Sequence, residues 1–239
     1  STLSRTHFGD SQLATPRSFH SAICLDDGRV LIAGGFDASG DPLNTTEIYD
    51  PFTRTTQAGP DLLVARAKHT AVLLSSGDVA FFGGIGAGDA VLTSCELYNF
   101  TPVEDGDENP LTPAPNSALP SLSTAQHSAH GVLLPDQRVL VTGGIDQFGD
   151  AVTEAFALNV LHDDDPVTPT TKNPRFEAVG GMNEARAHGS ATRLLSGHVL
   201  FAGGAASPSK SSMEIFNFET ETFEPVNLQM PDGGRAQHI

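Results

Sequence analysis

The chain has 239 residues and a net charge of −16, which repels a phosphate backbone and argues against a nucleic-acid partner. Its 24 glycines and 16 prolines favour many short strands and tight turns over long helices. The longest apolar runs, such as 30–33 and 79–82, hold only a handful of residues, so we expect no membrane span. Two cysteines, Cys24 and Cys95, are too few for a disulfide framework, and we expect both to be buried small side chains.

A diglycine recurs along the chain. Four short apolar runs each end in two glycines, and the second and third intervals between these pairs are identical, with a somewhat shorter first interval. The four pairs are Gly34-Gly35, Gly83-Gly84, Gly143-Gly144 and Gly203-Gly204. A continuous apolar run is typical of a strand covered on both faces, and glycine at its end permits a sharp turn or a close backbone approach. One such unit cannot cover both of its own faces, so the pattern predicts an array.

Charged residues recur at fixed spacings from the diglycines. Three repeats carry an arginine at one constant spacing before the first glycine (Arg17, Arg66 and Arg186), and the third carries Gln126 there. In the first two repeats a histidine stands three positions after the arginine (His20 and His69). Each repeat also carries a glutamate with an aromatic residue two positions later: Glu47, Glu96, Glu154 and Glu214. Its spacing from the first glycine is the same in repeats one and two and slightly shorter in repeats three and four.

Each repeat is predicted to form four antiparallel strands. The first follows the arginine, as in residues 18–25, and a tight turn such as 26–28 leads into the apolar strand that ends in diglycine. The third strand carries the glutamate, and a weaker fourth holds a single anchor such as Phe223. The predicted units span about residues 13–62, 63–121, 122–181 and 182–228 of one domain.

The segment from Asp26 to Gly35, together with the acidic turn and Glu-x-Tyr that follow, resembles the kelch repeat and is especially similar to bacterial kelch proteins. The resemblance covers residues 13–228 and implies an all-β, kelch-type β-propeller with about fifty residues per four-stranded blade. Four complete blades are expected, with parts of flanking blades at 1–12 and 229–239. We expect a larger ring, of about six or seven blades on the family resemblance; a five-bladed ring, or one completed by another chain, is the alternative.

Two long connections, residues 101–122 and 161–174, interrupt the repeat. Their prolines and acidic residues predict exposed loops, either tolerated insertions or contacts to a partner.

The repeated arginines are the first candidate binding residues. Arg17, Arg66, Arg186 and Arg235 are expected near one mouth of the central channel, where they could form a basic ring for an anionic or glycan ligand. The favoured alternative is structural: each arginine pairs with the glutamate of its repeat, with a neighbouring carbonyl, or with both.

Acidic turns after the diglycines are the second candidate. They contain Asp37, Asp41, Asp89, Asp146 and Asp150, and carboxylates of this kind could bind Ca²⁺. The favoured alternative is that aspartate and glycine form the hairpin turn. We expect no cofactor, with Ca²⁺ as the only ion considered.

No catalytic constellation is visible in the sequence. The resemblance to copper radical oxidases such as galactose oxidase would require a Tyr–Cys cross-link, a second tyrosine and two histidines on one copper. Tyr49 and Tyr98 occupy equivalent positions of successive repeats, which disperses them around a ring. His127 and His130 are three apart on a strand and point to opposite faces, so joint metal binding is not expected.

The sequence therefore predicts a non-catalytic module that presents loops of a propeller face to a protein or carbohydrate. The alternatives are part of an enzyme with active residues outside this window, or a structural unit that self-associates through open blade edges. The family resemblance, the lack of a signal in a trimmed N-terminus and the acidic surface favour a secreted, periplasmic or cell-surface setting in a bacterium.

Overall fold

The computed structural model describes residues 12–99, 117–160, 174–204 and 211–226. These residues form four antiparallel sheets of four strands each. A single 3-10 turn at Ala87–Asp89 is the one helical element of the described ranges, and none of their helices could cross a membrane. The expected all-β architecture is thus confirmed.

Each sheet is built from four consecutive strands. Blade one contains β1 (Ser21–Cys24), β2 (Val30–Ala33), β3 (Thr46–Asp50) and β4 (Thr55–Gly59). Blade two contains β5 (Thr70–Leu73), β6 (Val79–Phe82), β7 (Cys95–Tyr98) and β8 (Ser117–Leu119). Blade three contains β9 (His130–Leu133), β10 (Val139–Thr142), β11 (Ala155–Asn159) and β12 (Arg175–Ala178). Blade four contains β13 (Ser190–Arg193), β14 (Val199–Ala202), β15 (Met213–Asn217) and β16 (Thr222–Val226).

The blades are arranged side by side with their first strands innermost. β1 contacts β5, β5 contacts β9 and β9 contacts β13, whereas the fourth strands are the outer members of their sheets. The apolar second strands lie between neighbouring blades, and every residue of β6 and β10 is buried. Three apolar clusters fill the three spaces between consecutive blades. Mutual covering of sheet faces thus explains the continuous apolar runs.

The diglycines lie where the next blade docks. Gly34 and Gly35 adopt φ of 63° and 96°, and the Gly35 N–H donates to the carbonyl of Arg66 at 2.9 Å. A Cβ on Gly34 would overlap that same carbonyl. Gly84 and Gly144 receive the next blade in the same way, through the carbonyls of Gln126 and Arg186. Positive φ and close backbone approach together require glycine here.

The expected burial of both cysteines needs one correction. Cys24 and Cys95 are both free, and Cys95 is buried as predicted, but Cys24 is exposed. The reason is that β1 alternates half-buried and exposed residues, and Cys24 falls on the exposed side. Of the predicted flanking elements at 1–12 and 229–239, all residues but Gln12 lie outside the described residues, as do most of both long connections.

Candidate functional site

The repeated arginines are internal clamps. Nη1 of Arg17 donates to the carbonyls of Gly34 (2.8 Å) and Thr45 (3.0 Å), and Nη2 donates to Oε1 of Glu47 at 2.8 Å. The Arg17 side chain has no exposed surface. It therefore joins the end of β2 to the start of β3, and its charge is not presented to a channel.

Blades two and four repeat this clamp. Arg66 binds Glu96 at 2.7 Å and the Gly83 carbonyl at 2.6 Å. Arg186 binds Glu214 at 2.7 Å and the Gly203 carbonyl at 2.8 Å. The structural interpretation of Arg17, Arg66 and Arg186 is thus confirmed by their contacts; Arg235 lies outside the described residues.

The clamp carboxylates also hold the segment that enters each blade. Oε2 of Glu47 accepts a hydrogen bond from the backbone N–H of Ala14 at 2.8 Å, and Oε2 of Glu96 accepts one from Leu63 at 2.6 Å. Burial acts to raise the pKa of Glu47, but hydrogen bonds from Ala14, Arg17 and Thr15 outweigh it and lower that pKa. The carboxylate is thereby kept ionised for its arginine.

Blade three has lost both charges of the clamp. In blades one, two and four a glutamate lies opposite the third residue of the second strand, but in blade three Phe156 lies opposite Val141. Phe156 follows Gly143 at the same spacing at which Glu47 follows Gly34, so the register of blade three matches that of blade one. The shorter loop belongs to blade four alone. The prediction that Glu154 is the repeat glutamate was wrong: it precedes β11 and is exposed.

In two of the acidic turns the first aspartate accepts hydrogen bonds from the backbone of its own turn. Oδ1 of Asp37 accepts from the N–H groups of Ser39 (2.8 Å) and Asp41 (2.9 Å). Oδ1 of Asp146 accepts from the N–H groups of Phe148 and Asp150 in the same geometry. The hairpin-forming interpretation is confirmed for these two turns, whereas Asp89 ends the 3-10 turn. Within the described ranges, no group of three or more His, Cys, Asp or Glu side chains could hold a metal ion.

A cavity of about 260 Å³ lies between the starts of the four innermost strands. One residue from each blade, always two positions after the clamp arginine or its glutamine replacement, lines this axial cavity: Phe19, Lys68, Ser128 and His188. All four adopt left-handed φ, between 51° and 55°. This conformation costs a non-glycine residue about 1–2 kcal/mol, so the same strained geometry is imposed by all four blades on four different side chains.

We call these four positions the rim. Backbone hydrogen bonds link three of them from blade to blade. The N–H of Lys68 donates to the carbonyl of Phe19 at 3.0 Å, and the N–H of Ser128 donates to the carbonyl of Lys68 at 2.8 Å. The rim is therefore positioned by main chain, which leaves its side chains free to differ.

Histidines form much of the cavity wall. Nε2 of His69 bonds Oγ of Ser21 in the preceding blade at 2.8 Å, whereas His20 is exposed. His130 is 8% exposed, and neither of its ring nitrogens has a hydrogen-bond partner among the described residues. Gly189 from blade four faces this ring.

Burial keeps these imidazoles neutral. It lowers the pKa of His69 to about 3, with a further contribution from the charge of Arg66. It also lowers the pKa of His130, although the backbone of Gly189 and Thr142 approaches the ring without ordinary hydrogen-bond geometry and opposes the shift. Burial and the charge of Lys68 lower the pKa of His188.

The axial cavity was not predicted from the sequence. Of the two repeated histidines noted in the sequence, His69 contacts Ser21 of the preceding blade. The signal that could have found the cavity is a position at a constant offset from the clamp arginine whose residue type changes in every repeat.

Comparison with known proteins supports the fold. The kelch motif family model matches residues 16–55. A solved structure described as the structure of YjhT, a kelch propeller, is similar with a TM-score of 0.70 and 14% identity, over 93% of this chain and 73% of that chain. No curated protein matches the chain.

Proposed function

Because the chain carries a kelch motif and folds into blades of a kelch-type β-propeller, we propose that it is a non-catalytic binding module. It recognises its partner, a protein, through the face that holds the axial cavity. We call this the axial face; it contains the chain segments that enter the innermost strands and the loops that follow the diglycines.

This proposal rests on one observation: the four rim positions carry different residues, although the backbone and clamps that support them recur in the blades. Clamp and diglycine recur nearly unchanged, yet the four rim positions present an aromatic ring, an ammonium group, a hydroxyl and an imidazole around one cavity. Structural positions of a repeat are held to one residue type by packing, whereas positions that differ on rigid supports are suited to recognition.

The size of the cavity indicates what it can hold. Pockets for whole drug-sized ligands are typically about 300–1,000 Å³, and about 260 Å³ is smaller. The cavity therefore suits one anchoring group of a larger partner, with the surrounding axial face supplying the rest of the contact.

A carbohydrate is the second candidate because of Phe19. Its ring is 57% exposed at the cavity rim, next to the polar side chains of His20 and Lys68. An exposed aromatic surface beside hydrogen-bonding groups can accommodate the apolar and polar sides of a sugar.

The non-catalytic part of the proposal is supported by what surrounds the cavity. Its described lining contains no carboxylate and no cysteine beside the hydroxyl of Ser128, which bonds Nδ1 of the neighbouring His127. Tyr49 and Tyr98, the pair considered for copper chemistry, lie on β3 and β7 of different blades. A secreted, periplasmic or surface location remains part of the proposal.

The test uses peptide and glycan arrays probed with three labelled proteins: the wild type, a Phe19→Ala/His188→Ala double variant, and Phe52→Ala. Phe52 is a matched control because it is 85% exposed at the turn between β3 and β4, at the opposite end of the blade. We expect the double variant to lose at least about tenfold in affinity for the ligands of the wild type, the loss of one or two anchoring contacts. Phe52→Ala should retain them.

The opposite pattern would overturn the proposal: ligands retained by the double variant and lost by Phe52→Ala would place recognition at the far face. Turnover of any array ligand would contradict the non-catalytic part.

A further inference from the structure

Blades one and four each have one sheet face that no other described blade covers. The three apolar clusters join blade one to blade two, two to three and three to four, and no cluster of described residues joins blade four to blade one. In β2 and β14 buried residues therefore alternate with half-buried ones, whereas every residue of β6 and β10 is buried. Contiguous apolar surface of this kind marks a place where another protein surface packs.

The open face of blade four repeats the face with which blade one receives blade two. It carries the same residue types at the same register positions of its second and third strands. The matching residues, blade four first, are Leu200 and Leu31, Ala202 and Ala33, and Ile215 and Ile48. The three in blade one are buried against blade two, whereas the three in blade four are half-buried. Blade four therefore presents the receiving half of a blade junction.

The open face of blade one repeats the face with which blade two docks on blade one. The matching residues, blade one first, are Val30 and Val79, Ile32 and Phe81, and Tyr49 and Tyr98. Those of blade two are buried in the cluster shared with blade one, whereas those of blade one are half-buried. Among the described blades, blade one thus offers the half that fits blade four.

The backbone contact of the first junction has both of its partners on the open faces. In that junction the N–H of Gly35 donates to the carbonyl of Arg66. Gly204 occupies the place of Gly35 with φ of 107°, and its N–H has no backbone acceptor among the described residues. Arg17 occupies the place of Arg66, and its carbonyl accepts no backbone hydrogen bond within the described ranges. One open face supplies the donor and the other the acceptor, so docking would pair both.

A histidine–serine contact of the first junction also has its counterparts. Nε2 of His69 in blade two bonds Oγ of Ser21 in blade one. Ser190 of blade four occupies the position of Ser21, and His20 of blade one occupies that of His69. His20 is exposed and Ser190 is half-buried. The other two described junctions lack this pair, because alanine and glycine take the place of the histidine.

A cavity in the open face of blade four lies where the first junction receives a tyrosine. Tyr98 of blade two enters blade one beside Gly59, and a Cβ added to Gly59 would overlap its hydroxyl. Val226 takes the place of Gly59 in blade four and lines a cavity of about 270 Å³. Tyr49 is the residue of blade one that corresponds to Tyr98, so its ring would fill this cavity.

From this match we propose that blade four of one copy of the chain docks against blade one of a second copy, as blade one docks against blade two. The contact is head-to-tail because each copy carries one face of each kind. Two copies of four blades form one ring of eight, at the upper end of the usual range of about four to eight blades. This interface is separate from the ligand of the axial face.

Sedimentation velocity over a range of concentrations tests the junction with two variants that place a charge on an open face. Ile32→Asp changes the face of blade one and Ile215→Asp that of blade four; both positions are half-buried, so each chain should keep its fold. Leu195→Asp is the matched control, because Leu195 is fully exposed in the turn between β13 and β14. Far-UV circular dichroism checks the fold of all three variants.

We expect the wild type and Leu195→Asp to sediment as dimers. Ile32→Asp and Ile215→Asp should each weaken association at least about a hundredfold, because each change places a carboxylate in both junctions of a two-copy ring. An equimolar mixture of these two variants should dimerise more tightly than either alone, since one of its two junctions carries neither change. Added salt should strengthen association, because each copy carries a net charge of −16.

Tyrosine fluorescence gives a second measurement that needs no disruptive variant. The chain has two tyrosines; Tyr98 is buried within one copy, whereas Tyr49 is half-buried on the open face of blade one. Dissociation on dilution should therefore change the emission of the wild type. Tyr49→Phe should dimerise without that change, and an unchanged wild-type emission during dissociation would place the contact away from blade one and reject the junction.

A wild type that stays monomeric at every concentration would overturn the proposal and leave the face of blade four to residues 229–239 or to another protein. Loss of association in only one of the two aspartate variants would indicate a symmetric contact of one face with itself, which also rejects the head-to-tail junction. A mixture that associates no more tightly than its components would reject it as well. Equal weakening by Leu195→Asp would place the contact elsewhere on the chain.

Discussion

Blades two and three have the same four-stranded sheet but differ in what joins their strands at the axial end. Blade two has the buried ion pair of Arg66 and Glu96. Blade three has Gln126 and Phe156 in their places, and Phe156 packs against Phe176 at 5.9 Å between ring centroids. A blade can therefore form without the pair, provided that both charges are absent together.

The difference follows from the energetics of buried charge. An ion pair out of water regains its desolvation cost only through good geometry, and apolar replacement of both members is often neutral or stabilising. Removal of one member is different because it leaves the other charge buried alone. Blade three has neither charge. Phe156 is apolar, and Gln126 is a neutral amide whose nitrogen and oxygen have no hydrogen-bond partner among the described residues.

The largest expected effect comes from breaking the pair in blade two. Arg66→Met leaves Glu96, 1% exposed, without its counterion, and should lower the free energy of unfolding by about 3–5 kcal/mol. Urea unfolding measures this loss. Arg175→Met, at a half-exposed arginine, is the control and should cost at most about 1 kcal/mol. A loss for Arg66→Met no larger than that of the control would mean that the clamp is not buried as described.

Gly83 tests the docking of blade three on blade two. Its φ is +57°, and an added Cβ would overlap the carbonyl of Gln126 in blade three, so Gly83→Ala should destabilise by about 3 kcal/mol. Gly88→Ala is the matched control, with φ of +66° and no atom near the added Cβ, and should cost about 1 kcal/mol. Thermal unfolding distinguishes them; equal losses would contradict the close approach.

The blade-three arrangement can be transferred into blade two by changing both members of the ion pair. The double variant Arg66→Gln/Glu96→Phe should lose less free energy of unfolding than the two single variants lose in total. The difference, the coupling energy, should be about 2 kcal/mol. A double-mutant cycle in urea gives this value directly. Strict additivity would show that the two blades owe their stability to something other than the matched pair.

A smaller effect is a pH dependence of stability that comes from His69. In blade three the equivalent position holds Ala129, which does not titrate. The pKa of His69 is about 3 in the folded chain, against an ordinary value of 6.5. Below pH 6.5 the unfolded state takes up a proton that the folded state does not, so stability falls as pH falls. Between pH 7.5 and 5 this loss is about 2 kcal/mol, and His69→Ala should show a pH dependence weaker by that amount. An unchanged dependence would show that the ring is solvated.

What the sequence could predict follows from which residues repeat. Diglycines and clamp arginines recur because one backbone geometry and one buried charge require them, so their spacing predicted the blades and the Arg17–Glu47 contact. Glu154 was misplaced because equal offsets do not imply equal register when a loop shortens. The axial cavity escaped detection because its residues differ in each repeat and come together only when the innermost strands are arranged around one axis.

We expect a partner to bind at the axial cavity, where the recurring clamps and diglycines hold rim residues that differ in every blade. Hydrogen–deuterium exchange of the chain with and without a bound ligand from the arrays tests it most directly. We expect ligand-dependent protection at residues 17–20, 66–69, 126–129 and 186–189. Protection confined to the turns at 26–28 and 51–54 would contradict it.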